Sequence, residues 1–471
     1  MTNNVTLPLG SISLIDKIEK EIGLISGIFG NAGGKSKNFL GIAKLLLCNR
    51  LEDTVSIHQI APTSTKEKFE LLGIDGEEVE TIERSIYRAI QTIGREFPIL
   101  LEQYQNILKP RGLLDKDQNI DFSSSYFEGK KAELGAHGYS RDKRPDRPQV
   151  TWGIATGIGG IPSALTIQKG NVQDKTHMHE MLRICTKILE PGSLLIFDCG
   201  ANTPTVKDKI REKGFNYLTL KVKKVGTYRR HIKYFEKECE KITTGDKENE
   251  KEYLAVKRKS DKRDGEFFYI FFSKELCEDQ LRKKASKFEK RKQKGDKLLK
   301  KAKNHKAVQM FPSKEGWIGL YPEIQNTLVD IENPYITGIE GFFILESSID
   351  TDPKSILEIY KQRDVAEKLI RNMKEGGELR PIRHWNKYSI IGSLFICFLA
   401  TALINLTLKL CKNPDVKNFK LLKKYLGNLT LTVIYPQNGF RIRVVSNLSP
   451  PIRSILDDFP LKYGDKRFNL W

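Results

Sequence analysis

Apolar positions recur at helical spacing in KNFLGIAKLLLCNRL and in VETIERSIYRAIQTIGREF, so residues 1 to about 110 read as mostly helical. Gly and Pro punctuate these helices. The pair SIHQIA and STKEKFELLGI fits a helix-turn-helix, and it fits a small helical bundle equally well. From about residue 115 the period shortens. NIDFSSSYF alternates, and QVTWGIAT and ALTIQKGN flank the turn-like GIGGIP. HMHEMLRICTKILEPGS reads as a helix ended by Pro-Gly, and SLLIFDCGA as a short buried strand that stops at a carboxylate. NTPTVKDKIREKGFNYLTLKV then supplies a helix and another strand. This succession predicts an α/β layer.

Residues from about 222 to 340 break that rhythm with the strand-like EYLAVKRK and EFFYIFFS. The α/β pattern resumes at YITGIEGFFILES. The next predicted helix starts at Asp352-Pro353 and is stopped by Gly376-Gly377. After it, the uncharged SIIGSLFICFLATALINLTL, residues 389 to 408, has the length of a bilayer span and equally suits a buried core helix. Its Ser, Thr and Asn residues and the lack of a second span favour the core. The last sixty residues offer the helix KNFKLLKKYLG and a hairpin, LTLTVIYPQNGFRIRVV, turning at PQNGF.

Charge changes the picture. Across 471 residues, 79 Lys and Arg face 59 Asp and Glu, a net of +20, which favours a polyanionic partner: nucleic acid or an acidic membrane surface. Residues 281 to 306 alone hold thirteen Lys/Arg against two acids. Such a run is either a solvated helix face or a contact for the phosphate backbone. The seven cysteines form no CxxC pair, so a disulfide framework and a zinc knuckle are not indicated, and a reducing cytoplasm is expected. The N-terminus lacks the basic and apolar regions of a signal peptide.

The candidate chemistry centres on YKQRDVAEKLIRNMK, residues 360 to 374. At about 100° per residue, Tyr360, Arg363, Glu367 and Lys374 fall on one face beside the apolar stripe. One reading is an Arg363–Glu367 pair that stabilises the helix by a few tenths of a kcal/mol. The other is a set of groups aimed at one target. Asp121 in the strand NIDFSS and Asp198 at the end of LLIFDCG favour the second, because open α/β sheets place ligands at the carboxyl ends of strands. Two strand carboxylates and one helical carboxylate could hold a pair of Mg²⁺ ions, whose hard shells are completed by water and phosphate. Such ions stabilise attacking and leaving oxygens at phosphorus. No P-loop, catalytic serine or zinc site has comparable support, and His177 and His179 lack a third partner at ligand spacing.

These residues carry a resemblance. The spacing Y-x2-R-x3-E-x6-K, followed by ELRPIRHW (378 to 385) and preceded by GYSRDKRPDRPQV (138 to 150) and GNVQDK (170 to 175), resembles bacterial and archaeal DDE transposases of the insertion-sequence-four type. The nearest branch carries a long β-rich insertion before its last acid. The resemblance covers roughly residues 115 to 410. It departs at Asp364, where relatives often have an aromatic residue, and at Leu369-Ile370, which replace a usual Phe.

The resemblance implies an RNase H-like fold in which Asp121, Asp198 and Glu367 are catalytic metal ligands for Mg²⁺, with Mn²⁺ as the substitute. It implies that Tyr360, Arg363 and Lys374 contact DNA at the scissile bond, with Tyr360 able to stack on a displaced base. The expected organisation is a helical DNA-binding domain at 1–112, RNase H-like segments at 113–221 and 339–412, a β-rich basic insertion at 222–338, and a C-terminal region at 413–471. The expected partners are double-stranded DNA, both terminal inverted repeats and target, and a second copy of the chain at synapsis, with no membrane. The implied reaction is metal-dependent cleavage at the element's ends and strand transfer into target DNA. An RNase H-like nuclease without strand transfer and a non-catalytic DNA-binding descendant stay open at this point.

Overall fold

A computed structural model describes residues 4–465 apart from 35–37, 53, 77, 234, 246–248, 294–334, 378, 412–415, 417, 438 and 458. Two compact units emerge: residues 1–190 with 364–471, and residues 191–363.

The first unit is built on two long helices. Lys387–Leu410 is capped by Asn386, whose Oδ1 accepts from the Tyr388 and Ser389 amides at 2.9 and 3.3 Å. It packs along Val79–Leu108, and glycine sets how closely. A Cβ at Gly94 would lie 1.8 Å from the Tyr388 carbonyl oxygen, and one at Gly392 would lie 2.1 Å from that of Ile90. Both backbones approach where neither has a side chain. Edge-on rings, Phe97 on Phe395 and Tyr104 on Phe398, extend the seam at 5.3 Å each. The apolar stretch at 389–408 is thus a core helix: 89% of its most apolar window is buried inside the protein.

Against these helices lies an antiparallel meander of Gln118–Tyr126, Gln149–Thr156 and Pro162–Lys169. All eight residues of the middle strand are buried, as a strand covered on both faces requires. Trp152, fully buried there, donates from Nε1 to Ser125 Oγ at 3.1 Å. The helix Asp174–Cys185 covers the last two strands. At the other end of this unit, Val5–Pro8 pairs antiparallel with Thr430–Ile434, which pairs in turn with Ile442–Ser446.

The second unit opens with Leu194–Phe197, parallel to Asn216–Leu220 and joined to it through the helix Pro204–Glu212. Pro204 occupies the first helical turn, where its missing N–H is harmless, and Thr203 Oγ1 accepts from the Val206 amide at 3.3 Å. Phe342–Ser347, Phe267–Phe272, Lys251–Lys259 and Glu240–Thr244 continue the sheet antiparallel. Alternation decides the faces: Ile270 and Phe272 join Tyr228, Phe235 and Ile344 in one core, while Tyr269 and Phe271 join Leu218, Leu345 and Ile356 in the other. The helix Lys274–Gln293 carries the start of the basic run; residues 294–306 of that run lie outside the described residues.

In chain order, three antiparallel strands, a helix, a strand, a helix and a parallel strand form the RNase H-like succession expected. The β-rich insertion follows it, and the N-terminal region is helical. One expectation is corrected. The single helix predicted from 353 to 376 is three pieces: Pro353–Lys361, Asp364–Arg371 and a π-helical turn at Asn372–Gly376. The amides of Gln362 and Arg363 reach back only three residues, to the carbonyls of Ile359 and Tyr360, which tightens and ends the first piece. Asp364 then opens the second with an acid in its first turn, where the helix dipole favours negative charge.

Candidate active site

Each unit presents part of the predicted constellation. In the first, Asp121 lies on Gln118–Tyr126 opposite Ile154, half-buried between the buried Ile120 and Phe122. Its Oδ1 accepts from the Phe122 amide at 3.0 Å, which orients the carboxylate. The helix Asp364–Arg371 packs on this strand and its neighbour, burying Ala366, Leu369 and Ile370 and leaving Glu367 exposed. The Leu369-Ile370 pair is therefore core packing at this helix. Behind the strand, the Phe122 ring sits 4.9 Å from the buried His177 ring. Burial, with the Arg141 charge adding to it, pushes His177 down to about 4.

Lys374 is placed differently from a simple surface phosphate contact. It is buried on the π-helical turn, and its Nζ lies 2.7 Å from Asp142 Oδ1, which also receives Arg380 Nη1 at 3.0 Å. Burial lowers the Lys374 pKa; Asp142 opposes that shift, and Arg380 and Arg141 add to it. A phosphate contact by this ammonium requires its pair with Asp142 to open. Arg141 donates from Nη2 to both oxygens of Asp174 at 2.6 Å, tying the 138–150 block to the 170–175 block.

In the second unit, Asp198 follows directly on Leu194–Phe197, half-buried, and caps the short turn Cys199–Ala201 with Oδ1 accepting from the Cys199 amide at 2.7 Å. Tyr360 packs against the core at the edge of Pro353–Lys361. Arg363 stands 5.8 Å from the Tyr360 ring centre. Burial raises the Tyr360 phenol well above its ordinary value, Arg363 pulls it down, and the charge of Asp198 raises it further. Cys199 feels the same neighbours: burial and Asp198 raise its thiol, and Arg363 lowers it. Asp198, Cys199, Tyr360 and Arg363 therefore form one electrostatic neighbourhood.

Sequence reasoning missed Asp142, Arg380 and Cys199 as neighbours of these groups. Asp142 and Arg380 stand inside the 138–150 and 378–385 blocks, so the blocks were visible and their pairing was not.

The profile of the transposase DDE domain matches residues 120–403, more than half of the chain. The chain belongs to the DDE transposase family. No curated protein matches it. Among solved structures it is similar to a piggyBac transposase synaptic complex with hairpin DNA, at 9% identity and a TM-score of 0.41, over 97% of this chain and 81% of that one. DDE transposases cleave and move DNA, and generally use divalent metal ions. In this transposase the donor chemistry fits such an ion: Asp121 and Asp198 offer hard carboxylate oxygens, each oriented by the next backbone amide. Among the described residues no three His, Cys, Asp or Glu side chains stand together as a ready cage. An ion that keeps water and phosphate in its shell needs few protein ligands.

Proposed function

We propose that this transposase is of the insertion-sequence-four type, and that it cuts DNA at the ends of an insertion sequence and joins the freed 3′ ends to target DNA. The observation that carries the reading is the span of the family match. It begins one residue before Asp121 and encloses Asp198 and Glu367. In this reading Asp121, Asp198 and Glu367 hold Mg²⁺, with Mn²⁺ able to replace it. The ions, when bound, stabilise the attacking and leaving oxygens of an in-line displacement at phosphorus.

The chain's own groups do the rest. Arg363 forks onto a phosphate of the transposon end, and the Tyr360 ring beside it offers a face to a displaced base. Lys374, released from Asp142, supplies a point charge to a neighbouring phosphate. No side chain is needed as a nucleophile: the attacking groups are a water and then the DNA 3′-hydroxyl. Double-stranded DNA, both end repeats and target, is the substrate, and two copies of the chain act together when two ends are paired.

The test is cleavage of a plasmid carrying the DNA that flanks the gene. Asp121→Ala, Asp198→Ala and Glu367→Ala should each abolish Mg²⁺-dependent nicking and leave DNA affinity within about twofold, because loss of a metal ligand removes chemistry rather than backbone contacts. Wild-type nicking by any one of them would refute the ligand set. Supplying pre-cut ends with a target plasmid separates strand transfer from simple nuclease action, since only a transposase joins them.

A further inference from the structure

The loop that carries Asp198 is anchored at its far end. After the turn Cys199–Ala201, the Asn202 side-chain amide donates to Glu346 Oε2 at 2.6 Å and to the Leu220 carbonyl at 3.0 Å. Glu346 is 3% exposed and sits on Phe342–Ser347 opposite Thr219. Its carboxylate is held by Lys221 and, at 3.1 Å, by Lys207, which also pairs with the buried Glu266. The Tyr217 hydroxyl donates to that same Glu266 oxygen at 2.8 Å. Two ammonium groups and two carboxylates thus balance in a buried cluster whose polar atoms are used. Near the start of the loop, Thr219 Oγ1 reaches the Asp198 carbonyl at 3.4 Å. A five-residue loop is consequently fixed to one strand pair at both ends.

We propose that Asn202 is a positioning residue for Asp198: it clamps the acid-bearing loop to the neutral cluster of Lys207, Glu266, Glu346 and Lys221, so that the Asp198 carboxylate meets a divalent cation in one fixed orientation. This rests on the reading of Asp198 as a metal ligand. The geometry separates the anchor from the cluster's own stability. Truncating Asn202 leaves the two lysines and two glutamates paired, whereas removing Glu346 takes the carboxylate partner from Lys221 and leaves the buried Lys207 with Glu266 alone. Asn202→Ala therefore releases the loop while the ion pairs of the cluster stay in place.

The experiment titrates Mn²⁺ into full-length wild type, Asn202→Ala and Asp198→Ala, following free Mn²⁺ by electron paramagnetic resonance, beside unfolding curves and plasmid nicking. Supporting groups around metal ligands change affinity or rate by about 10–100-fold when lost. Asn202→Ala should weaken Mn²⁺ binding by about that factor, slow nicking, recover part of the rate at raised metal concentration, and unfold at the wild-type midpoint. Wild-type Mn²⁺ affinity in Asn202→Ala, with Asp198→Ala inactive, would overturn the positioning role and leave the active-site reading standing. A rate loss accompanied by a lowered unfolding midpoint and unchanged Mn²⁺ affinity would reduce Asn202 to a structural residue and overturn it too. If Asp198→Ala binds Mn²⁺ and nicks like wild type, the active-site reading itself fails.

Discussion

In the 191–363 unit the buried Lys207 and the part-buried Lys221 meet two buried glutamates, whereas in the other unit Lys374 and Arg380 share the buried carboxylate of Asp142. Among the described residues Arg380 also pairs with Glu375, which is exposed and 3.6 Å away. The first cluster is closed: Glu346 lies below its usual range because Lys207 and Lys221 outweigh the burial that would raise it. The second sets two cations on one buried carboxylate, with Asp142 Oδ2 without a hydrogen-bond partner among the described residues and about a third of the Arg380 side chain exposed. In the proposed reading the two arrangements serve different ends: the balanced cluster holds the Asp198 loop, and the shared carboxylate keeps two cations within reach of a DNA phosphate.

The comparison can be broken by removing one carboxylate from each cluster. Glu346→Leu leaves Lys207 with Glu266 alone, takes the carboxylate from Lys221, and should cost about 3–5 kcal/mol, read as a lower urea midpoint. A loss under 1 kcal/mol would show that the cluster is not closed. Asp142→Leu should cost less, about 2–3 kcal/mol, because Arg380 can turn to solvent. The same variant should bind DNA more tightly than wild type, since it releases Lys374 from Asp142 and leaves Arg380 with the exposed Glu375; weaker binding would contradict the reading of Asp142 as their internal counter-ion.

Acid sharpens the contrast between the units. His177 and His384 in the first and His231 in the second are all lowered to about 4, mainly by burial. Each has a folded value below the unfolded value near 6.5, so the unfolded chain binds more protons between pH 6.5 and 4. Stability is therefore complete above pH 6.5 and falls as pH drops through that window, by at most about 1.4 kcal/mol per pH unit for each histidine. His177→Leu should flatten the slope measured in urea unfolding; an unchanged slope would acquit His177. The smallest effect belongs to the exposed Asp364–Lys368 pair at 2.5 Å, where Asp364→Ala should change stability by no more than about 0.5 kcal/mol.

Much of this was legible in the sequence because it is local. Alternation marked Gln118–Tyr126, the apolar run marked Leu194–Phe197 with Asp198 at its end, and the hairpin of Thr430–Ile434 with Ile442–Ser446 showed in its turn. What escaped is non-local or finely balanced. The strand Val5–Pro8 is too short to declare itself, and its partner lies at the other end of the chain. The Asp142–Lys374 pair joins residues 232 positions apart, and no periodicity reports on it. The break at Gln362–Arg363 follows from a change of hydrogen-bond reach inside a stretch whose composition stays helical throughout.

Anomalous diffraction from Mn²⁺ in crystals of the protein bound to transposon-end DNA tests the central claim most directly. Peaks bounded by the carboxylates of Asp121, Asp198 and Glu367 beside the scissile phosphate are the predicted result. Manganese bound to DNA-proximal side chains with any of those three acids left outside its shell would contradict it.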